Sequence, residues 1–222
     1  LDGYACKAPN VNPMTLAETC IFAINNIAKP IHFLGIGNLS RSIILYYASK
    51  YFKQPVTFDS SSYDIGTQYR SYLLPSMMNR KLRFVNPKNV GEFGDGVCNT
   101  NDIVNVDDLS DMCDCAVCQA IGDKCGDMIK NNSPILGGLL SVHNLIVNLR
   151  WIGYVKKIAN NKYKLEEFVK YNFEPHLIDK ILKAFDMIDI AMEKGYDIAF
   201  NKYKEDFQMN KEVGKQATVF DY

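Results

Sequence analysis

Three cysteines crowd into the short run Cys113-Asp-Cys115-Ala-Val-Cys118. Thiolates are soft ligands that suit Zn²⁺ or an iron–sulfur cluster, and packing alone does not explain a spacing this tight. Zinc takes a fourth ligand, and His143, one of only three histidines in the chain, lies 25 residues after Cys118. The pattern predicts a closed, structural zinc site of three cysteines and one histidine. Cys125 is the alternative fourth ligand, and a metal-free cysteine-rich loop is the alternative to a site.

A second candidate for chemistry is Asp59, in the run Phe58-Asp59-Ser60-Ser61-Ser62. It follows a short apolar segment that reads as a strand, and ligands of parallel α/β folds bind beyond the carboxyl ends of the strands. A carboxylate there could act as a base, a metal ligand or a nucleophile. Gly35 and Gly37, after the preceding strand, would let a flat ligand approach the backbone. The alternative is ordinary, because Asp-Ser-Ser is also a common helix N-cap.

Short alternating elements must position Asp59. Thr15 and Glu18 form a capping-box pattern for a helix from Leu16 to about Ala28, which Pro30 ends. Strands are predicted at 31–37 and 56–59, with a helix between them that starts at Asn38 or Ser40. Strand, helix, strand, helix, strand within 60 residues predicts parallel βα units. About three strands are too few for an eight-stranded α/β barrel of about 250 residues, so the pattern favours part of a barrel.

The elements around the cysteines differ in charge. Residues 65–90 hold five basic residues and no acidic one, whereas residues 91–127 hold nine acidic residues and only Lys124 as a base. The basic segment Arg70, Arg80, Lys81 and Arg83 is a candidate for phosphate contacts, and an ordinary solvated loop is the alternative. Helices are predicted at Leu139–Ile158, which carries His143, and at Leu165–Tyr171, Pro175–Lys194 and Tyr196–Gln208.

Composition limits the class of protein. The chain has 222 residues, a formal net charge of +0, 47% hydrophobic residues and seven cysteines. These values predict a globular, cytoplasmic protein, because no apolar run approaches the 18 residues of a membrane span and no signal peptide is present. An odd number of cysteines argues against a secreted disulfide framework. The chain begins at Leu1 rather than Met, which suggests a fragment or a processed chain.

Taken together, the motifs resemble the tRNA-guanine transglycosylase superfamily over roughly residues 1–150. They are Phe33-Leu34-Gly35-Ile36-Gly37, Phe58-Asp59-Ser60-Ser61-Ser62-Tyr63, Cys113-x-Cys115-x-x-Cys118 and His143-Asn144-Leu145. The Asp-Ser-Ser-Ser-Tyr run, followed by Arg70-Ser-Tyr72-Leu, looks more like the archaeosine branch or the related DNA 7-deazaguanine transglycosylases. The Pro-Thr-Arg and Arg-Asn-Gly segments of the bacterial queuine-pathway enzymes are absent from this chain.

The resemblance implies the C-terminal part of a modified (β/α)₈ barrel with a zinc-knuckle insertion, followed by a helical tail. The implied parts are residues 1–95 for barrel elements, 96–150 for the zinc-binding insertion with its barrel helix, and 151–222 for the helical region. The family's first half, with a second aspartate that works as general acid or base, would be missing. A polypeptide of these 222 residues alone is therefore predicted to be inactive.

The implied reaction is a base exchange. Asp59 would attack the sugar C1′, expel guanine and form a covalent intermediate that an incoming free 7-deazaguanine resolves. Gly3, Leu34 and Gly35 would line the base pocket, and zinc at Cys113, Cys115, Cys118 and His143 would be structural. The resemblance favours tRNA over DNA as the polynucleotide, and it leaves a homodimer or heterodimer open. A non-catalytic, zinc-stabilised partner or nucleic-acid-binding subunit and an unrelated α/β domain with a zinc knuckle are the alternatives.

Overall fold

A computed structural model describes residues 3–7, 12–36, 39–59, 71–73, 75, 81–83, 109–131 and 133–213. By their contacts the residues form two units, Leu1–Asp59 with Val155–Tyr222, and Ser60–Tyr154. The predicted division at 95 and 150 stays a prediction, since residue 95 lies outside the described residues. The described strands are β1 (Tyr4–Lys7), β2 (Ile31–Leu34), β3 (Val56–Phe58), β4 (Ser71–Leu73) and β5 (Lys81–Arg83). The described helices are α1 (Pro13–Asn26), α2 (Leu39–Ala48), α3 (Ala116–Ile121), α4 (Cys125–Lys130), α5 (Pro134–Ile158), α6 (Lys162–Asn172), α7 (Pro175–Lys194) and α8 (Tyr196–Val213).

The first unit contains a parallel sheet with the strand order β1-β2-β3. Tyr4 lies opposite Ile31, and Ile31 lies opposite Val56. Helices α1 and α2 are the crossovers that parallel neighbours require, so the predicted strand–helix–strand–helix–strand run is confirmed. The described residues are mostly helical and contain these three parallel strands but no closed barrel.

Helix α1 begins three residues earlier than the capping-box pattern predicts. Asn12 is the N-cap, and its side-chain oxygen accepts a hydrogen bond of 3.0 Å from the Thr15 N–H. Pro13 then occupies the first helical position, where its missing N–H costs nothing. The prediction that Thr15 caps the helix was therefore wrong, because a better-placed cap and a proline precede it.

The helical core of the first unit is built around α7. This helix packs against α1, α2, α6 and α8. It begins at Pro175 and ends at Lys194 as predicted, because Gly195, with φ of 97°, takes a conformation that favours glycine. The ring of Phe185 stacks on Tyr47 of α2 at a centroid distance of 4.2 Å. The fully buried side chains of α7 recur at helical spacing: Ile181, Ala184, Phe185, Met187 and Ile188.

The second unit has a different construction. Strands β4 and β5 pair antiparallel, with Tyr72 opposite Leu82. The core contains Tyr72 of β4, the cysteines around α3 and α4, and Leu136 and Leu140 of α5. Helix α5 starts at Pro134, five residues before the predicted Leu139, and ends at the predicted Ile158.

Among the described residues, the segment Ile135–Ile158 is the one helix long and apolar enough to cross a membrane by length and composition, and 33% of its apolar stretch is buried. Its buried face also carries the polar side chains of His143 and Asn144, both of which are hydrogen-bonded to β4. A helix with partnered polar groups on a buried face is compatible with a soluble protein.

Candidate metal centre and candidate nucleophile

The four predicted zinc ligands come together in the second unit. Cys113 and Cys115 lie just before α3, Cys118 lies in its first turn, and His143 lies on α5. Each offers one ligand atom, these atoms all lie within 4.8 Å of one another, and all four residues are buried. The structure thus confirms that Cys113, Cys115, Cys118 and His143 are placed to hold one metal ion.

Two of the distances among the ligand atoms are close to those around a tetrahedral ion. The His143 Nδ1 atom lies 3.2 Å from Cys118 Sγ and 3.4 Å from Cys115 Sγ. Zinc–sulfur and zinc–nitrogen bonds in a tetrahedron place such atoms about 3.6 Å apart, so a shift of a few tenths of an ångström would admit the ion. The His143 Nε2–H donates to the Leu73 carbonyl at 2.9 Å. This hydrogen bond leaves the Nδ1 lone pair directed at the sulfurs, as metal-binding histidines require.

Strand β4 makes three further contacts with the candidate metal centre and its helix α5. The Tyr72 ring stacks on the imidazole at a centroid distance of 3.9 Å and an interplanar angle of 7°. The Tyr72 hydroxyl lies 3.5 Å from Cys118 Sγ, and the Leu73 N–H donates to the Asn144 side-chain oxygen at 2.8 Å. Sequence reasoning assigned no metal-site role to Tyr72 or Asn144. The cysteine pattern gives no signal for Tyr72, because β4 lies 40 residues before Cys113 in the chain.

Burial controls the charge of the metal centre when no cation is bound. It raises the pKa of the Cys113 and Cys118 thiols and lowers the pKa of the His143 imidazole. All three groups are thereby held neutral. A bound cation reverses this preference and displaces the thiol protons. Backbone N–H groups already point at two sulfurs, from Cys115 to Cys113 Sγ at 3.4 Å and from Cys118 to Cys115 Sγ at 3.5 Å.

Cys125, the alternative fourth ligand, belongs to the same buried core. It is not among the four residues whose ligand atoms converge, so the structure favours His143 in that position. Cys98 lies outside the described residues. Cys20 is buried on α1 and Cys6 is half-buried on β1, both in the first unit.

Asp59, the candidate nucleophile, lies directly after β3 at the carboxyl edge of the parallel sheet. Its Oδ1 atom accepts a hydrogen bond of 2.8 Å from the N–H of Gly35, which follows β2 at the same edge. Gly35 has a φ of 78°, a left-handed conformation that favours glycine. The Arg41 guanidinium donates to the Gly35 carbonyl at 3.4 Å. The glycine is therefore needed to aim a backbone donor at the carboxylate.

His32, which sequence reasoning did not select, lies beside Asp59. Its Nε2 atom is 3.6 Å from Asp59 Oδ2, in ion-pair range, and its Nδ1 atom is 2.8 Å from the Thr57 hydroxyl. The strand register brings His32 to this place, since His32 and Thr57 are paired positions of neighbouring parallel strands. Asp59 follows Thr57 by two residues, so the strand that pairs with His32 also carries the carboxylate close to it.

The charge state of Asp59 suits a nucleophile better than an acid. The Gly35 N–H and, after it, the neighbouring His32 imidazole hold the pKa of Asp59 below its ordinary value. The carboxyl group is thus ionised at neutral pH. Its side chain is 56% exposed, so a ligand can reach it.

The other residues predicted to bind substrate differ in whether they lie at the edge of the sheet that carries Asp59. Leu34 ends β2 with its side chain partly exposed beside Gly35. Gly3 lies at the opposite edge of the sheet, before β1. A Cβ atom on Gly3 would lie 2.9 Å from the Pro30 carbonyl oxygen, so close backbone approach explains this glycine, and the structure does not bring it to the Asp59 edge. Arg70 and Arg80 lie outside the described residues, and Lys81 and Arg83 lie on β5.

No family model, no curated protein and no solved structure matches the chain. The class of protein that the described residues define is an α/β chain with a small parallel sheet, a candidate metal centre and an ionised carboxylate at a strand end.

Proposed function

We propose that this chain takes part in the exchange of a guanine base in a polynucleotide, with tRNA favoured, for a free 7-deazaguanine. Asp59 is the nucleophile, and zinc bound by Cys113, Cys115, Cys118 and His143 stabilises the second unit. The observation that carries the proposal is the setting of Asp59. An ionised, accessible carboxylate follows a parallel strand and accepts a backbone hydrogen bond from the glycine after the neighbouring strand.

The setting of Asp59 supports covalent catalysis for two physical reasons. A carboxylate that is already ionised can attack an electron-poor sugar C1′ without first losing a proton. Its hydrogen bond to Gly35 holds Oδ1, and the longer contact of Oδ2 with His32, at 3.6 Å, leaves that oxygen available to react. The proton that the departing guanine takes up, and that the incoming base gives up, requires a separate acid–base group. The family resemblance assigns that role to a second aspartate in an earlier segment.

The metal centre supports a structural role for zinc. Four protein ligands occupy all four coordination positions of a tetrahedral zinc ion and leave none for water or substrate. The chemistry that zinc supplies there is the neutralisation of thiolates and the cross-linking of the α3 region to α5. The chain's own contribution is the orientation of His143 by Leu73 and Tyr72.

The proposal is tested with the full-length natural polypeptide by trapping a covalent adduct. The protein is incubated with guanine-containing tRNA or DNA, denatured, and examined for a nucleic-acid adduct. We expect an adduct with the unmodified protein and none with Asp59→Asn, which keeps the size of the side chain. An adduct on DNA but not on tRNA would assign the exchange to DNA. Nucleic-acid binding without any adduct would contradict the enzyme and support a non-catalytic partner.

A further inference from the structure

We propose that His32, oriented by Thr57, is a positioning residue that stabilises the Asp59 carboxylate as it leaves the sugar in the second half of the exchange. This inference rests on the proposed function and assigns a role to a side chain that the motifs do not include. It is carried by three distances at one edge of the parallel sheet, which join Asp59 to Gly35, to His32 and, through His32, to Thr57.

The contact with Thr57 determines which ring nitrogen of His32 carries the proton. The Thr57 hydroxyl, 2.8 Å from Nδ1, can donate to that nitrogen and leave the ring proton on Nε2. If the ring is protonated, both nitrogens donate and the hydroxyl accepts. In either state an N–H faces Asp59 Oδ2. The third arrangement leaves Nε2 without a proton. It is disfavoured, because the lone pair of Nε2 would then face the negatively charged Oδ2 of Asp59.

The two oxygens of Asp59 have different partners. Oδ1 has the Gly35 N–H and Oδ2 has His32 Nε2. At 3.6 Å the His32 contact is longer than a hydrogen bond. The contact shortens at little cost, because the imidazole is held through its other nitrogen by a hydroxyl that can rotate. Both partners stabilise the charged form of the carboxylate rather than its ester.

Stabilisation of the charged carboxylate favours one half-reaction over the other. In the first half an Asp59 oxygen bonds to C1′ while the C1′–N bond to guanine breaks, and the base keeps the electron pair. In the second half the ring nitrogen of the incoming base bonds to C1′, its proton goes to the acid–base group, and the C1′–O bond breaks with its electron pair returning to Asp59. Donors that favour a charged carboxylate weaken it slightly as a nucleophile and improve it as a leaving group. His32 therefore acts mainly on the breakdown of the intermediate.

The test compares matched variants of the full-length polypeptide in single-turnover experiments that follow adduct formation and decay separately. In His32→Leu we expect the decay to slow about tenfold, the lower end of what one hydrogen bond to a charged group is worth, with a smaller effect on formation. The adduct then accumulates. His32→Gln, which retains an N–H at the end of its side chain, is expected to restore most of the decay rate. Thr57→Val should slow the decay, and Thr57→Ser should restore it.

A second measurement separates this inference from the proposed function. The titration of the Asp59 carboxyl carbon is followed by NMR, where we expect its pKa to rise toward the ordinary value in His32→Leu and to stay low in His32→Gln. An unchanged titration, or equal slowing of formation and decay, would overturn the role of His32 and leave the exchange intact. If the unmodified protein forms no adduct, the proposed function fails and the role in the exchange fails with it, whatever the titration shows.

Discussion

His143 illustrates how single atoms define the metal centre. One ring nitrogen donates to the Leu73 carbonyl at 2.9 Å, so the other carries a lone pair and faces two sulfurs. Tyr72 covers one face of the ring, which prevents the imidazole from rotating away. A histidine held in this way is positioned to act as a metal ligand.

The ligand assignment predicts different outcomes for two buried cysteines. Cys115→Ser should abolish stoichiometric metal binding, because a serine hydroxyl is a poor ligand for soft sites. Cys125→Ser is the matched control, since Cys125 belongs to the same core but lies outside the converging group, and it should retain the metal. Metal content by mass spectrometry of the purified variants checks this. Metal retained in Cys115→Ser and lost in Cys125→Ser would reverse the assignment.

At the residue level, the sequence predicted the ligands but not their supports. Spacing alone identified Cys113, Cys115 and Cys118, because ligands within six consecutive residues must lie close together in space. Tyr72 reaches the centre from a strand that is distant in the chain, and no local pattern encodes that contact. His32 was missed for the same reason, because its relation to Asp59 depends on the register of two parallel strands.

At the scale of elements, Asp189 links three helices in the first unit. Its carboxylate, 17% exposed, accepts hydrogen bonds from Tyr47 of α2, from Tyr51 just after α2 and from Lys162 of α6. Lys50 lies 3.3 Å away. Burial alone would raise the pKa of Asp189, but the bonds from Lys162 and Tyr47 outweigh burial and hold the pKa below its ordinary value. The ionised carboxylate therefore holds α2 and α6 against α7.

This linkage predicts that Asp189→Asn destabilises the fold by about 2 kcal/mol. The substitution leaves two lysines without their counter-charge, and it points the amide NH₂ of the asparagine at side chains that are themselves donors. Asp179→Asn, on the same helix, is the control. Asp179 is 62% exposed and its partner Lys183 also contacts Asp206, so the cost should stay below about 0.5 kcal/mol. Chemical denaturation of both variants measures the difference, and equal costs would show that Asp189 is not a structural link.

Element boundaries were predictable where covalent geometry sets them. Pro175 and Gly195 delimit α7 as expected, since proline suits a first turn and glycine suits the residue after a helix. The start of α1 was misplaced because Thr15 and Asn12 are both competent caps, and only the position of Pro13 decides between them. The number of strands beyond β3 depends on long-range pairing, which neither composition nor local patterning expresses.

At the scale of the whole molecule, the formal charge of +0 conceals groups whose ionisation depends on a bound cation. Without metal, the folded protein keeps the Cys113 and Cys118 thiols protonated, whereas an unfolded chain ionises them above pH of about 8.5. The folded state then binds more protons than the unfolded state, so its stability falls as pH rises through this range. With metal, the folded thiols are already deprotonated, so stability rises with pH below this range, where the unfolded chain still holds its thiol protons, and levels off within it.

The two forms should therefore depend on pH differently: stability rises with pH below about 8.5 when metal is bound, and falls with pH above about 8.5 when it is not. For the metal-bound protein below pH of about 8.5, displacement of three thiol protons gives an increase of about 4 kcal/mol per pH unit, provided that unfolding releases the metal. Denaturation at several pH values, with zinc and with a chelator, measures both slopes. Hydrogen exchange locates the effect, because chelation should deprotect the Leu73 amide and α3, whose contacts surround the ligands, while the amides of α7 keep their protection. Parallel slopes would mean that the four residues pack as neutral core and hold no ion.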